Sequence, residues 1–129
     1  IIVDSTDPVG PAAGLFNREF FGHCLRALGQ DGLLVQQSES PLFHTDSLIR
    51  EMRSELSAAG LVNQLTLPFP QPIYPSGWWS CTLASAGLDV RQFRTAEAQN
   101  KPFATRYYNA GVHSGALNPP EFMKALDAD

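Results

Sequence analysis

Apolar residues recur along this chain in two rhythms, short unbroken runs and a spacing of three to four. The first run is Ile1-Ile2-Val3, β-branched and without polar alternation. That is the pattern of a strand buried on both faces. Asp4 ends it, and Asp7, standing before Pro8, is pushed toward extended backbone. Gly10 and Pro11 continue the turn. From Ala12 to Leu28 the rhythm changes. Phe16, Phe20, Cys24 and Leu28 recur every four residues, and Leu15, Phe21 and Leu25 widen the stripe, which predicts an amphipathic helix. Gly29 is its stop and Asp31-Gly32 a turn.

Leu33-Leu34-Val35 predicts a second buried strand, running into Gln36, Gln37, Ser38 and Glu39. A second helix is expected over Thr45 to Ala59, capped by Thr45 or Asp46, ended by Gly60, with Leu48, Ile49, Met52 and Leu56 on its apolar face. Leu61 to Leu67 predicts a third strand. The proline-rich crossing PFPQPIYPSG (68–77) follows, and Trp78 to Ala84 predicts a returning antiparallel strand. Residues 87–104 are polar and poorly patterned. A last short helix is expected near Pro120, with Asn118 close to its cap and Phe122, Met123 and Leu126 facing inward.

Strands alternating with helices imply right-handed crossovers and a parallel α/β sheet, with the last strand pair adding an antiparallel edge. In such sheets ligands bind beyond the carboxyl ends of the strands. Asp4 and Asp7 lie at the end of the first strand, Gln37 and Glu39 at the end of the second, and Tyr74 in the loop before the last. Three loops thus send polar groups toward one edge. Each also has a plainer reading: an Asx turn and helix cap for Asp4 and Asp7, a satisfied amide for Gln37, solvation for Glu39, packing for Tyr74. Trp78-Trp79 reads as sheet core and edge.

With 129 residues there is room for one domain. A net charge of -4 without a basic cluster argues against nucleic acid or an anionic membrane as partner and suits a small cationic ligand. Cys24 and Cys81 are expected to be two reduced thiols of a cytoplasmic protein. His23, His44 and His113 share no ligand spacing with each other or with the cysteines, so no metal site is expected. No run approaches the ~18 apolar residues of a membrane span.

The segments IIVDSTDPVGPAAGLF, ALGQDGLLVQQSES, PIYPSGWW and RYYNAGVH, in that order, resemble the spermidine synthases, the polyamine aminopropyltransferases. The resemblance implies the C-terminal half of a Rossmann-like, class I methyltransferase-type sheet, with parallel strands and a terminal antiparallel strand. It also implies transfer of an aminopropyl group from decarboxylated S-adenosylmethionine to putrescine, giving spermidine and methylthioadenosine. Under it Asp4 is the catalytic acid and Asp7 the second acid that holds the diamine. Ser5 and Thr6 line the same turn, Gln37 and Tyr74 belong to the diamine site, and Pro11, Ala12 and Leu15 cover the nucleoside. No permanently bound cofactor is implied, and the full-length protein is expected to be a homodimer or homotetramer.

Residues 1–129 are then expected to be the C-terminal part of the catalytic domain. The glycine-rich nucleoside loop and an N-terminal β domain would lie upstream, and the piece alone is expected to be inactive and poorly stable. Two departures stand out: Thr6 where serine is common, and an extra residue near Ser47. A putrescine N-methyltransferase using intact S-adenosylmethionine, or a non-catalytic polyamine-binding piece, shares the same pattern.

Overall fold

Strands β1 (Ile2–Val3), β2 (Leu34–Gln37), β3 (Asn63–Pro70) and β4 (Trp78–Ser85) form one mixed sheet in the spatial order β1-β2-β4-β3. The computed structural model describes residues 1–127. β1 and β2 are parallel, with Ile2 opposite Val35. β4 is antiparallel to both of its neighbours, pairing Gln37 with Cys81 and Thr66 with Thr82. β3 therefore runs in the direction of β1 and β2. The antiparallel strand is inserted between β2 and β3 and is not the edge that the order of elements suggested. Chain order does not fix spatial order, and the crossing at 71–77 returns β4 into the sheet. The prolines agree with this placement. Pro68 and Pro70 lie within β3, and a strand lacking two N–H donors is tolerated at an edge.

The first predicted helix divides in two. Gly10–Leu15 is a 3-10 helix with Pro11 in its first turn, and α1 runs from Arg18 to Leu28. Asn17 separates them, because its side chain accepts the Phe20 N–H at 2.9 Å and caps α1 there. The second helix starts earlier than its pattern. α2 (Pro41–His44) opens with proline, favourable in a first turn. Thr45 does not cap: its hydroxyl donates back to the Pro41 carbonyl at 2.6 Å. A π turn follows over Thr45–Ile49, then α3 (Arg50–Ala58). Such a wide turn accommodates one residue more than α geometry, and it contains Ser47.

At the end of α3, Gly60 adopts φ 99°, Gly60 N–H bonds the Ser57 carbonyl and Leu61 N–H the Leu56 carbonyl, both at 3.0 Å. This pair of bonds is a Schellman motif, and it carries Leu61 inward. Phe21 and Cys24 from α1, Met52 and Leu56 from α3, Leu61, and Leu34 and Ala84 from the sheet make the core. Full burial of each of the larger side chains contributes roughly 1.5–3 kcal/mol. Gly32 lets β2 start tightly behind α1, since a Cβ there would meet Leu28 Cβ at 2.4 Å. Cys24 and Cys81 are both free, and burial raises the pKa of each thiol. β-alternation places Cys81 on the sheet face opposite Ala84, away from Cys24.

β1 departs from its expected double burial: Ile2 is 82% exposed, and among the described residues β1 pairs with β2 alone. The poorly patterned stretch contains α4 (Thr95–Gln99), and α5 (Ala110–Ala116), capped by Asn109, packs against β3. Between them His113 stacks on Phe93 at 4.1 Å and bonds the Tyr108 hydroxyl at 3.0 Å. The last segment is a 3-10 helix, Glu121–Asp127, with Met123 and Leu126 buried. Phe122 points outward at 44% exposure, against expectation, because a 3-10 turn does not place three such residues on one face. Asn118 bonds the Ser114 carbonyl at 2.7 Å, closing α5 instead of opening the next turn.

Candidate active site

The carboxyl ends of β1, β2 and β3 open on one edge of the sheet, and their loops are tied together there. Asp4 and Asp7 stand exposed just after β1, on a turn closed by Val9 N–H to the Asp7 carbonyl at 2.7 Å. Ser38, Glu39 and Ser40 follow β2 and are all buried. The loop after β3 closes on itself, Gln71 N–H to the Gly77 carbonyl at 2.9 Å, and carries Tyr74. The Tyr74 ring packs on Trp79 at 4.7 Å and remains 46% exposed.

Hydrogen bonds join the second and third loops. The Ser76 hydroxyl donates to the Trp78 carbonyl at 2.9 Å. A hydroxyl has one proton, so the 2.7 Å contact between Ser40 and Ser76 has Ser40 as donor. The same arithmetic orders a longer chain across the sheet. The single Ser80 proton is shared between the carbonyls of Ser38 (3.0 Å) and Glu39 (2.9 Å). Ser38 therefore donates to Ser80 (3.0 Å), Thr82 to Ser38 (3.0 Å), and Thr66 to Thr82 (2.9 Å). Arg53 Nη1 donates to Thr66 at 3.4 Å. Aligned hydroxyls polarise one another. Four buried hydroxyls from β3, β4 and the β2 loop thus end on the backbone of Glu39.

That backbone needs holding. Glu39 has φ 65°, in the left-handed region uncommon for residues other than glycine. Its side chain is 4% exposed, which overturns the solvated reading. The carboxylate accepts Gln37 Nε2 at 3.1 Å. Burial pushes its pKa above the ordinary glutamate value, Gln37 opposes that rise, the Asp7 carboxyl beside it adds to it, and the His44 ring lowers it slightly. Asp7 and Glu39 thus meet across the first two loops. Gln37 Oε1, Ser5 Oγ and Trp79 Nε1 are buried with no hydrogen-bond partner. Orphaned polar atoms of this kind mark places where a bound molecule or water completes the set.

The fold therefore brings together Asp7, Gln37 and Glu39, while Asp4, Ser5 and Thr6 occupy the same turn as Asp7. The Ser40–Ser76 bond ties the loop that carries Tyr74 to the loop after β2. Pro11, Ala12 and Leu15 sit on the 3-10 helix just beyond that turn, none of them buried. Glu39 is the member that sequence reasoning placed at the strand end but gave no role in the site. Its signal was present, since strand alternation carried one step beyond β2 puts residues 37 and 39 on one side. Among the described residues no group of three or more His, Cys, Asp or Glu could hold a metal ion, and no helix is long and apolar enough to cross a membrane.

The model of one family, described as the spermine/spermidine synthase domain, matches residues 1–92. The polyamine aminopropyltransferase of Thioalkalivibrio sulfidiphilus is 56% identical over 124 residues, covering 96% of this chain and 44% of that protein. The polyamine aminopropyltransferase of Xylella fastidiosa (strain 9a5c) is 62% identical over 124 residues, covering 95% and 43%. Among solved structures, a spermidine synthase in complex with the transition-state analogue AdoDATO is similar with a TM-score of 0.83 at 29% identity, over 97% of this chain and 43% of that one. Spermidine synthase from Thermotoga maritima gives 0.79 at 29% identity, over 97% and 42%. The chain spans less than half the length of these relatives.

Proposed function

Because this chain belongs to the spermine/spermidine synthase family, we propose that it is the C-terminal part of an aminopropyltransferase catalytic domain. The reaction moves the aminopropyl group of decarboxylated S-adenosylmethionine to putrescine, giving spermidine and methylthioadenosine. The observation that carries this reading is the Gln37–Glu39 hydrogen bond at the carboxyl edge of the sheet, beside the turn that bears Asp4 and Asp7. Acids beside an amide oxygen suit a flexible dication. The finer fold reading, half of a Rossmann-like methyltransferase-type sheet, is supported by three strands of one direction with an antiparallel strand inserted. Homo-oligomerisation and a cytoplasmic setting for the whole protein belong to the same proposal.

The attacking amine must be neutral, yet an alkylammonium has a pKa of about 10.4, by analogy with lysine. Presenting the free base at pH 7 costs about 4.6 kcal/mol. An ordinary aspartate is a poor base for that proton in the ground state. In the proposed step Asp4 aligns the reacting nitrogen, whose ammonium proton leaves to solvent past the Asp4 carboxylate and frees the lone pair, while Asp7, Gln37 and Tyr74 hold the distal end. As the nitrogen lone pair forms the new C–N bond, the C–S bond breaks and its electrons neutralise the sulfonium. The nitrogen takes over the positive charge that the sulfur gives up, and the secondary ammonium so formed stays paired with the Asp4 carboxylate. Alignment with the C–S bond contributes more than base strength. Pro8 and Pro11 hold the turn at low entropic cost. Ser5 and Thr6 line it, and Pro11, Ala12 and Leu15 cover the nucleoside.

The test is an assay of the full-length protein with putrescine and each sulfonium donor. Methylthioadenosine release is expected. S-adenosylhomocysteine release from intact S-adenosylmethionine would make it an N-methyltransferase and sink the proposal. Asp4→Asn is expected to lower kcat by a factor of about 10² or more while leaving the melting temperature unchanged, because Asp4 is exposed. Near-normal turnover removes Asp4 from its role.

A further inference from the structure

The transfer step makes no direct use of Glu39, although this is a buried acid at the site, locked in a left-handed turn by Ser80. A glutamate is almost never buried without a partner. Here the partner is an amide. An ionised carboxylate only accepts, so it faces the NH2 end of Gln37 and no other. The amide's carbonyl oxygen is thereby turned away from Glu39, and it is the atom left buried without a partner. An ammonium group is the complement of that oxygen, having donors and no acceptor. The opposite flip would set NH2 against the ammonium and turn attraction into repulsion.

We propose that Glu39 is a positioning residue: it fixes the flip of the Gln37 amide so that Oε1 faces the non-reacting ammonium of the bound diamine. This rests on reading the site as a diamine site. Glu39 does not touch the reacting atoms. It acts through Gln37, while the Asp7 carboxyl beside it supplies charge from the first loop. Its fixed backbone explains why a left-handed, non-glycine residue is held by a chain of buried hydroxyls. A side chain that sets another group's orientation has to be more rigid than the group it orients.

The experiment uses the full-length protein with saturating sulfonium donor and varied putrescine. Glu39→Gln keeps the shape but lets the amide pair adopt either flip. The KM for putrescine is expected to rise about tenfold, with a change in kcat under about threefold and no change in the KM of the donor. In a Gln37→Ala background the same substitution is expected to add less than about twofold, since its effect passes through Gln37. Glu39→Asp, charged but too short to reach, is expected to reproduce the KM rise and serves should Glu39→Gln fold badly. An unchanged putrescine KM in either variant, a loss confined to kcat, or equal losses in both backgrounds overturns the proposal. Failure of the underlying reading shows separately, in the unaltered protein. If that protein releases no methylthioadenosine and shows no heat of putrescine binding by calorimetry, the diamine site itself is refuted.

Discussion

Glu39 is held where its charge is unwelcome, and its titration should report that. The raised native pKa means that the folded state binds a proton more tightly than the unfolded chain. The resulting stabilisation is fully present below the unfolded value of about 4.3. It is lost as the pH rises through the raised native value, above which the fold must hold a buried carboxylate. Glu39→Gln is therefore expected to raise the melting temperature at pH 7 by about 2–4 °C, with the gain fading as the pH falls through the raised native value and gone below about 4.3. A lower melting temperature at pH 7 would show that the carboxylate stabilises the fold. At this scale the strand ends were legible: Asp4, Asp7, Gln37 and Tyr74 follow from where apolar runs stop. The burial of Glu39 was not, because it depends on groups far away in the chain, among them Ser80, which holds its carbonyl.

Among the elements, β4 decides most. It supplies Ser80 and Thr82, the middle of the hydroxyl chain between Arg53 and the Glu39 backbone. Thr82→Val keeps the shape and removes the central donor and acceptor. It is expected to lower stability by about 1–3 kcal/mol in urea unfolding of the full-length protein, and to raise the putrescine KM by loosening the 38–40 turn. Thr82→Ser should recover most of both effects. Valine without a stability loss would mean that the chain of bonds is incidental. The run Trp78 to Ala84 was readable as a strand, and its neighbours were not, because pairing partners depend on how the 71–77 crossing turns. The helix starts were misjudged for local reasons, competition from the Asn17 cap and from Pro41, which periodicity does not weigh.

For the whole molecule, the open side of β1 matters most. Ile1 and Ile2 expose apolar surface on a strand that, among the described residues, pairs on one side only, a template for edge-to-edge association. Expressed alone, the 129-residue chain is expected to self-associate, and Ile2→Lys to raise its soluble fraction severalfold in light scattering and sedimentation. A monodisperse unmodified chain would remove the edge as the cause. The apolar stripes along α1 and α3 placed the core correctly on Phe21, Cys24, Met52 and Leu56, since a helix can bury only the face it has.

The sequence by itself determined the local chemistry: acids at the end of one strand, an amide and an acid at the end of another, a proline-rigid turn between acids and helix. Those features are set by neighbours a few residues away, through backbone preference and alternation. The tertiary structure alone decided that the antiparallel strand lies inside the sheet, that four hydroxyls align through it, and that Glu39 is buried. Burial and hydrogen-bond direction are properties of groups far apart in the chain, and they exist only once the strands have chosen their neighbours.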